Sequence, residues 1–270
     1  MATKNNISIL GCGWLGLPLA KTLAAHGFHI KGSTTSHEKI DVLAAAGIEP
    51  FLVTLSAKEI LGDIADFLHS SATLIIDVPP KQRSEESEDY SDKIRKLMPY
   101  IEKAGVKNVL FISSTSVYGN GAGVATEETE PQPQTKNGEQ LLESEKLLLE
   151  NEYFQTTVLR FGGLVADDRH PVKFLAGREN IENPDAPINL IHREDCLSII
   201  IRIIENKIWG EIFNAVAPFH PTREEYYTQK ARALQLPLPS FSRKNQSQGK
   251  QVNSGKLGRI VHYNFLHPEL

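Results

Sequence analysis

The chain has 270 residues, 40% of them hydrophobic, with 29 basic residues against 33 acidic ones. This length and composition allow a full hydrophobic core, in one large α/β domain or in a domain with a smaller appendage. The formal net charge of -4, without a long run of Lys or Arg, argues against a nucleic-acid partner.

The cysteines and the N-terminus indicate in which cellular compartment the protein is expected. Cys12 and Cys196 lie far apart in the sequence, so we expect neither a disulfide framework nor a metal site. Lys4 precedes an apolar segment as in a signal peptide, but three glycines and Pro18 within that segment weaken the likeness. No other apolar run reaches about 18 residues. We therefore expect a cytoplasmic protein without a membrane partner.

Short apolar runs alternate with helical patterns through the first part of the chain. The predicted strands are Ile7–Leu10, Phe28–Ser33, Pro50–Thr54, Thr73–Asp77, Val109–Ile112 and Thr157–Phe161. The predicted helices are Leu15–His26, Glu38–Ala46, Ala57–Leu68, Asp89–Ala104 and Asn137–Asn151. This alternation predicts an α/β fold of Rossmann type, a doubly wound parallel sheet covered by helices on both faces.

The pattern is less regular after Phe161. Predicted strands at Ile188–Ile191 and Glu211–Val216 flank a helix from about Arg193 to Glu205, and Thr222 with Glu225 forms a capping box that opens a helix to about Leu234. Ser242–Gln251 is predicted to be a mobile loop. We expect residues 1–165 to form the Rossmann domain, with 186–216 returning to it. Residues 166–185 and 217–270 would form a smaller, partly interleaved part that binds the substrate.

A glycine pattern marks the turn from the first strand to the first helix. Gly11, Gly13 and Gly16 in "ILGCGWLGLPLA" form G-x-G-x-x-G. The first glycine permits a tight turn, the second the approach of a pyrophosphate, and the third close helix–strand packing. The helix N-terminus then offers N–H groups and a positive dipole to the phosphates. The pattern predicts a bound dinucleotide, with Cys12, Trp14 and Leu15 contributing backbone contacts and packing; the alternative is a glycine-rich turn without a ligand.

The end of the second strand bears on the choice of cofactor. A site that prefers NAD usually has Asp or Glu about 20 residues after the glycine pattern, where it holds the ribose hydroxyls. This chain has Ser33, Thr34, Thr35 and Ser36 there, with Lys39 one turn on. Hydroxyls and an ammonium tolerate the 2′-phosphate of NADP, so the cofactor is NADP or NAD. The alternative is that these residues make only a turn and a helix cap.

Six segments occur in the order that one superfamily shows. They are "GCGWLG", "DVPP", "FISSTSVYGN", "LRFGGLVADDRHP", "NLIHREDC" and "FNAVAP". With them the chain resembles the extended short-chain dehydrogenase/reductases, in the atypical, NAD-dependent epimerase/dehydratase-like branch that includes the bacterial YeeZ-like proteins. The resemblance implies a Rossmann fold, a bound NAD or NADP and a substrate cleft under the C-terminal part.

The resemblance also assigns roles to single residues. It places Ser113 and Ser114 at the nicotinamide end of the cofactor, and Ser114 matches the catalytic Ser/Thr that binds the substrate oxygen; the alternative is a capping cluster on a loop. Val78, Pro79 and Pro80 match the wall beside the adenine-side ribose and pyrophosphate. Gly162 would let the backbone approach the nicotinamide side.

The catalytic Tyr-x-x-x-Lys of the family is missing from this sequence. Asn137 stands at the Tyr position and Leu141 at the Lys position. Asn does not act as an acid or base at neutral pH. Tyr118, close to Ser114, is a candidate replacement acid, and the alternative is a packed tyrosine at a strand end.

Weaker candidates lie in the loops. Lys81 and Arg83 could bind an anionic substrate, although a solvated charged loop is the commoner explanation for such residues. Arg169 and His170 could reach the substrate cleft, and a surface loop explains them equally well. His192 and Asp195, in "NLIHREDC", fit the structural strand-to-helix corner of the family.

Two functions remain open from the sequence. The first is an NAD(P)-dependent oxidoreductase or epimerase that acts on a nucleotide sugar or another small carbonyl or hydroxyl substrate. The second is a catalytically impaired protein that senses NAD(P)H and regulates a partner. A homodimer is left open for both.

Overall fold

The computed structural model of the chain describes residues 6–80, 88–244 and 249–270. Lys81 and Arg83, two weaker candidates from the sequence, lie outside the described residues. The predicted mobile loop also falls partly outside them, at residues 245–248.

Twelve strands and eight α-helices form the described part of the chain. The strands are β1 (Asn6–Leu10), β2 (His29–Thr34), β3 (Glu49–Leu55), β4 (Ile60–Gly62), β5 (Thr73–Ile76), β6 (Asn108–Ser114), β7 (Gly123–Ala125), β8 (Gln155–Phe161), β9 (Gly163–Val165), β10 (Leu190–His192), β11 (Ile212–Ala215) and β12 (Lys250–Val252). The helices are α1 (Gly16–Ala25), α2 (Ile40–Ala45), α3 (Ile64–Leu68), α4 (Tyr90–Ala104), α5 (Lys136–Leu149), α6 (Val172–Leu175), α7 (Arg193–Glu205) and α8 (Arg223–Ala233).

The central sheet has eight strands in the order β11-β8-β6-β5-β1-β2-β3-β4. Within it, β1 pairs in parallel with β2 and β5, β2 with β3, and β5 with β6. The run β3-β2-β1-β5-β6-β8 has the strand order of a Rossmann fold. Successive strands are added on one side of β1 up to β3 and on its other side from β5 onward, so the order of addition reverses between β1 and β5. Strand β5 is buried along its whole length, as expected of a parallel strand covered on both faces. The predicted fold class is confirmed.

One predicted helix, Ala57–Leu68, is wrong. Ile60–Gly62 instead forms β4, which pairs antiparallel with β3, and α3 begins only at Ile64. Gly62 has a φ of +93°, and a Cβ on it would lie 1.9 Å from the Leu52 carbonyl oxygen. The carboxylate of Asp63 then accepts a hydrogen bond from the Asp66 N–H and caps the short helix. Glycine and cap together stop a longer helix.

The remaining helices agree with the sequence to within a few residues. The Thr222–Glu225 capping box is present at the start of α8. Asp89 caps α4, whose last turn ends at Gly105 in the left-handed conformation. The predicted helix Glu38–Ala46 is a 3₁₀ turn over His37–Lys39 followed by α2. Among the described residues, no helix is both long and apolar enough to cross a membrane.

The chain divides into two compact units. The first contains Met1–Ser114, Thr135–Leu159 and Ile200–Ile212, and the second contains Thr115–Gln134, Arg160–Ile199 and Phe213–Leu270. The sequence had placed 115–134, 160–165, 186–199 and 213–216 in the Rossmann domain. They group with the second unit because β7 pairs with β12 and β9 with β10, contacts between segments far apart in the sequence.

Each unit has its own core. In the first, α1 buries Leu19 and Leu23, and α4 buries Ile94, Leu97 and Ile101. In the second, one core cluster joins β9, α6, β10 and α8. Its buried members are Val165, Val172, Ile188, Leu190, Tyr226, Tyr227 and Ala231.

Candidate functional site

The glycine turn between β1 and α1 has the geometry expected from its sequence. Gly11 has a φ of +105°, and a Cβ on it would lie 2.4 Å from the Asp77 carbonyl oxygen. A Cβ on Gly16 would lie 2.2 Å from the Gly11 carbonyl oxygen. No side chain fits at either position, so Gly11 makes the tight turn and Gly16 the close packing.

Gly13 differs from the other two glycines. A Cβ on it would meet nothing within 4 Å, and the residue is exposed. Two hydrogen bonds to Ser33 in β2 hold the turn in place. The Gly11 N–H donates to Ser33 Oγ at 2.9 Å, and the Cys12 N–H donates to the Ser33 carbonyl oxygen at 2.8 Å. Gly13 therefore presents backbone, without a side chain, to open space at the start of a helix.

A pocket in the first unit opens beside this turn. Its walls come from the carboxyl ends of β1, β2, β3 and β5 and from the start of α4, which is where ligands bind in open α/β sheets. The predicted cofactor residues in the wall are Gly11, Cys12, Gly13, Ser33, Thr34, Thr35, Lys39, Val78 and Pro79. The others predicted for this region do not line the pocket but lie within three positions of a wall residue in the chain; they are Trp14, Leu15, Gly16, Ser36 and Pro80.

The hydroxyl cluster after β2 has two kinds of member. Ser33 accepts the Gly11 N–H, and Thr34 Oγ1 accepts the Ser36 N–H at 3.1 Å, so both of these buried hydroxyls build the turn. Thr35 and Lys39 are exposed and line the pocket. The turn interpretation therefore applies to Ser33 and Thr34, and Thr35 and Lys39 stay predicted cofactor residues.

Three acidic or basic residues of the pocket were not predicted from the sequence. Asp77, half-buried at the end of β5, accepts a hydrogen bond from the Gly16 N–H at the start of α1. Glu88 and Lys93 form an ion pair at 2.8 Å. Burial raises the pKa of Asp77 to about 8, because a charged carboxylate loses its hydration there. The "IID" at the end of a buried strand was the available signal for Asp77.

Tyr90 and Cys12 complete the floor of the pocket. The Tyr90 hydroxyl is buried without a hydrogen-bond partner among the described residues, which is rare for a polar atom in a folded protein. Burial, and then the neighbouring Asp77, raise the pKa of the Tyr90 phenol, which therefore stays a donor. The same two causes raise the pKa of the Cys12 thiol to about 12, so Cys12 is not a reactive thiolate.

The two serines at the end of β6 face in different directions. Ser113 Oγ donates to Glu145 Oε1 in α5 at 2.5 Å, and both residues are buried. Since side chains alternate along a strand, Ser114 points to the opposite face, where it is half-buried. The Ser113 hydroxyl, predicted to meet the cofactor, is occupied inside the first unit.

Tyr118, the candidate replacement acid, lies in the second unit and is buried. Its hydroxyl accepts from Arg160 at 2.7 Å and lies 2.9 Å from the Thr126 carbonyl oxygen and 3.0 Å from Asn214 Oδ1. Burial raises its pKa. A hydroxyl with three protein partners fits the packed-tyrosine alternative, not an acid that serves a substrate.

Gly162, expected beside the nicotinamide, has a different reason to lack a side chain. A Cβ there would lie 2.6 Å from the Asn189 carbonyl oxygen. The neighbouring Gly163 N–H donates to that same oxygen at 2.8 Å. The close approach that requires glycine is therefore made by the protein's own backbone in the second unit.

The loop and corner candidates are also tied to the second unit. His170 bonds the Tyr226 hydroxyl at 3.0 Å and accepts the Val172 N–H, and Arg169 pairs with Ala166 through the backbone. The buried Asp195 carboxylate accepts from the Tyr263 hydroxyl at 2.6 Å and the Leu266 N–H at 2.7 Å. The predicted structural role of the Asp195 corner is confirmed.

Comparison with known proteins identifies relatives of the chain. No protein-family model matches it. Protein YeeZ of Escherichia coli K12 is 31% identical over 265 residues, which cover 97% of this chain and 96% of YeeZ.

Solved structures share the fold at lower identity. MoeE5 in complex with UDP-glucose and NAD superposes with a TM-score of 0.80 at 16% identity, covering 96% of this chain and 93% of MoeE5. UDP-glucuronic acid 4-epimerase from Bacillus cereus, in complex with UDP-glucuronic acid and NAD, also reaches 0.80, at 15% identity and 98% and 94% coverage. The strand order and the glycine turn agree with these likenesses. On its identity to YeeZ over nearly its whole length, the chain belongs to the family of YeeZ-like proteins.

Proposed function

We propose that the protein binds NADP or NAD at the glycine turn and acts as an oxidoreductase or epimerase on a nucleotide sugar or another small carbonyl or hydroxyl compound. The observation that carries this proposal is the open space over Gly13 at the start of α1. MoeE5 and the Bacillus cereus epimerase, which share the fold, are complexes with NAD and a UDP-sugar.

The residues present suit a dinucleotide. The backbone at Gly13 and the N-terminus of α1 would bind the pyrophosphate. Thr35 and Lys39 would hold the adenosine ribose and its 2′-phosphate, with Val78 and Pro79 as the wall beside them. The buried Tyr90 hydroxyl is a donor without a protein acceptor among the described residues. When bound, the nicotinamide supplies the acceptor and donor of hydride.

The positions that transfer the proton in the family carry other residues in this chain. Ser114 would hydrogen-bond the substrate oxygen, but Asn137 and Leu141 supply neither acid nor base. Tyr118 is already bonded to Arg160, and its neighbours Thr126 and Asn214 are also within hydrogen-bonding distance. The reaction would therefore use a proton from water or from the substrate. These same observations favour a second candidate function, a protein that senses NAD(P)H through the same pocket and regulates a partner.

Gly13→Val tests the cofactor site. Because nothing of the protein lies within 4 Å of the added Cβ, the variant should fold, whereas a bound pyrophosphate would clash. Calorimetric titration with NADP and NAD should show affinity reduced at least about tenfold, or about 1.4 kcal/mol. Gly121→Val adds the same side chain in open space elsewhere and should bind as wild type does. Unchanged affinity in a folded Gly13→Val protein would remove the pyrophosphate from this turn.

Lys39→Met tests the choice between NADP and NAD. We expect wild type to bind NADP at least as well as NAD, because Thr35 and Lys39 offer a hydroxyl and an ammonium where a carboxylate would repel the phosphate. The variant should lose about tenfold in NADP affinity and keep its NAD affinity, since one charge–phosphate pair is worth roughly 1–3 kcal/mol. Competitive titration of the two cofactors decides, with Lys103→Met on the exposed end of α4 as control. A clear preference of wild type for NAD contradicts the assignment.

Asp77→Asn tests the carboxyl beside the proposed pyrophosphate site. With a folded pKa of about 8, against about 3.9 in an unfolded chain, Asp77 is mainly neutral at pH 7 and charged at pH 9. Wild-type affinity for the dinucleotide should therefore fall between pH 7 and 9, while Asp77→Asn, which keeps an acceptor for the Gly16 N–H, should show a flatter profile.

Protein stability gives a second readout for Asp77. The folded pKa is raised, so folding favours the protonated form. The contribution of Asp77 to the free energy of unfolding is therefore full below about pH 4 and is lost as the pH rises toward 8. Denaturant unfolding of wild type relative to Asp77→Asn should show this decline. Parallel pH profiles of the two proteins, in both affinity and stability, would show that Asp77 is ionised throughout.

Turnover separates the two candidate functions. A positioned acid or base is worth roughly 10²- to 10⁴-fold in rate, so wild type should bind cofactor well but convert UDP-sugars and simple carbonyl compounds slowly. Ser114→Ala should abolish the remaining rate, and Tyr118→Phe should leave the rate per folded molecule unchanged. Brisk turnover that disappears in Tyr118→Phe would make Tyr118 the acid after all. Cofactor binding without any turnover favours the sensing function.

A further inference from the structure

The second unit brings two histidines and a carboxylate together at the corner between β10 and α7. His192 ends β10, Glu194 lies in the first turn of α7, and His267 comes from the C-terminal segment. One ligand atom from each of the three lies within 4.8 Å of the other two. The two imidazole ring centroids are 3.8 Å apart. Neither cysteine belongs to this group, and His267 is too distant in sequence to show a ligand spacing, so the sequence predicted no metal.

The separations suit a single ion. His267 Nε2 lies 2.8 Å from Glu194 Oε2, and His192 Nδ1 lies 4.0 Å from the same oxygen. Imidazole and carboxylate ligands bind zinc at about 2.0–2.2 Å, so two ligands of one ion are at most about 4.4 Å apart. The His192 Nδ1 lone pair now accepts the Glu194 N–H at 3.3 Å, a long contact that an ion would replace.

The group is positioned by a buried carboxylate behind it. Asp195 is fully buried and accepts the Tyr263 hydroxyl and the N–H groups of Leu266 and His267. These three bonds fix the C-terminal segment against α7 and hold the His267 ring beside His192. Ligands whose backbone is already held in place lose little conformational entropy on binding.

The residue types also suit a cation. Two imidazoles and one carboxylate form a ligand set that suits zinc and the other late first-row metals.

We propose that His192, Glu194 and His267 bind one Zn²⁺ ion that fastens the C-terminal segment to the start of α7. Three protein ligands leave a fourth position for water. The proposed effect of the ion is to stabilise this corner of the second unit, and it is independent of the cofactor and of the reaction proposed above.

The test is zinc titration of the full-length protein without a histidine tag, after treatment with a chelator. Wild type should bind one equivalent of Zn²⁺ by calorimetry, and Co²⁺ should give visible absorption bands at the same stoichiometry. Saturating Zn²⁺ should raise the melting temperature by about 3 °C or more, since an ion that binds only the folded state stabilises it.

Variants assign the ion to these residues. His192→Ala and His267→Ala should each weaken Zn²⁺ binding at least about tenfold and remove the rise in melting temperature. His26→Ala is the matched control, because His26 forms a similar 2.8 Å pair with Glu205 on an exposed surface of the first unit without a second histidine in that pair. It should bind Zn²⁺ as wild type does.

Three results would overturn the proposal. The first is that wild type does not bind Zn²⁺ stoichiometrically at micromolar concentrations. The second is unchanged Zn²⁺ affinity in folded His192→Ala and His267→Ala, and the third is an equal loss of Zn²⁺ affinity in His26→Ala. Far-ultraviolet circular dichroism of each variant before titration establishes that it is folded. Should His267→Ala not fold, Glu194→Gln, at an exposed position, makes the same comparison. None of these outcomes depends on whether NAD or NADP binds.

Discussion

The first unit depends on a close approach between backbones at the start of α1. Gly11 sits against the Asp77 carbonyl oxygen, and Gly16 against the Gly11 carbonyl oxygen, at distances that no Cβ tolerates. This contact joins β1, β5 and the start of α1 at the reversal of strand order. It directs the Gly16 N–H to the Asp77 carboxyl group and leaves Gly13 facing the pocket. The shape and much of the electrostatics of the site follow from it.

The second unit is organised around buried polar groups instead. Tyr118 and Arg160 form one group with Asn214, whose backbone N–H donates to Glu127. Asp195 gathers the C-terminal segment in the same way. Buried polar groups of this kind must be fully bonded, because each unpaired member costs desolvation energy. Residues that look reactive in the sequence, Tyr118 among them, are therefore occupied in holding the fold.

How far the sequence predicted the structure depends on how far apart in the chain the interacting residues lie. The glycine turn and the capping box were predicted correctly, because both are set by residues within one turn of each other. The prediction of a helix over Ala57–Leu68 was wrong because Gly62 packs against the Leu52 carbonyl oxygen of a neighbouring strand. The direction of Ser113 depends on Glu145 in α5. The high pKa of Asp77 arises from burial by elements that no local pattern reveals.

The Tyr90 hydroxyl at the floor of the pocket has a consequence for the empty protein. A buried donor costs about 1–3 kcal/mol when it has no acceptor, a sizeable share of the net stability of an ordinary domain, and none of the described residues supplies an acceptor to Tyr90. A ligand oxygen that accepted this hydrogen bond would recover that energy. The chain would then be least stable when its pocket is empty, so that the supply of ligand in the cell would set how long each molecule survives unfolding and proteolysis.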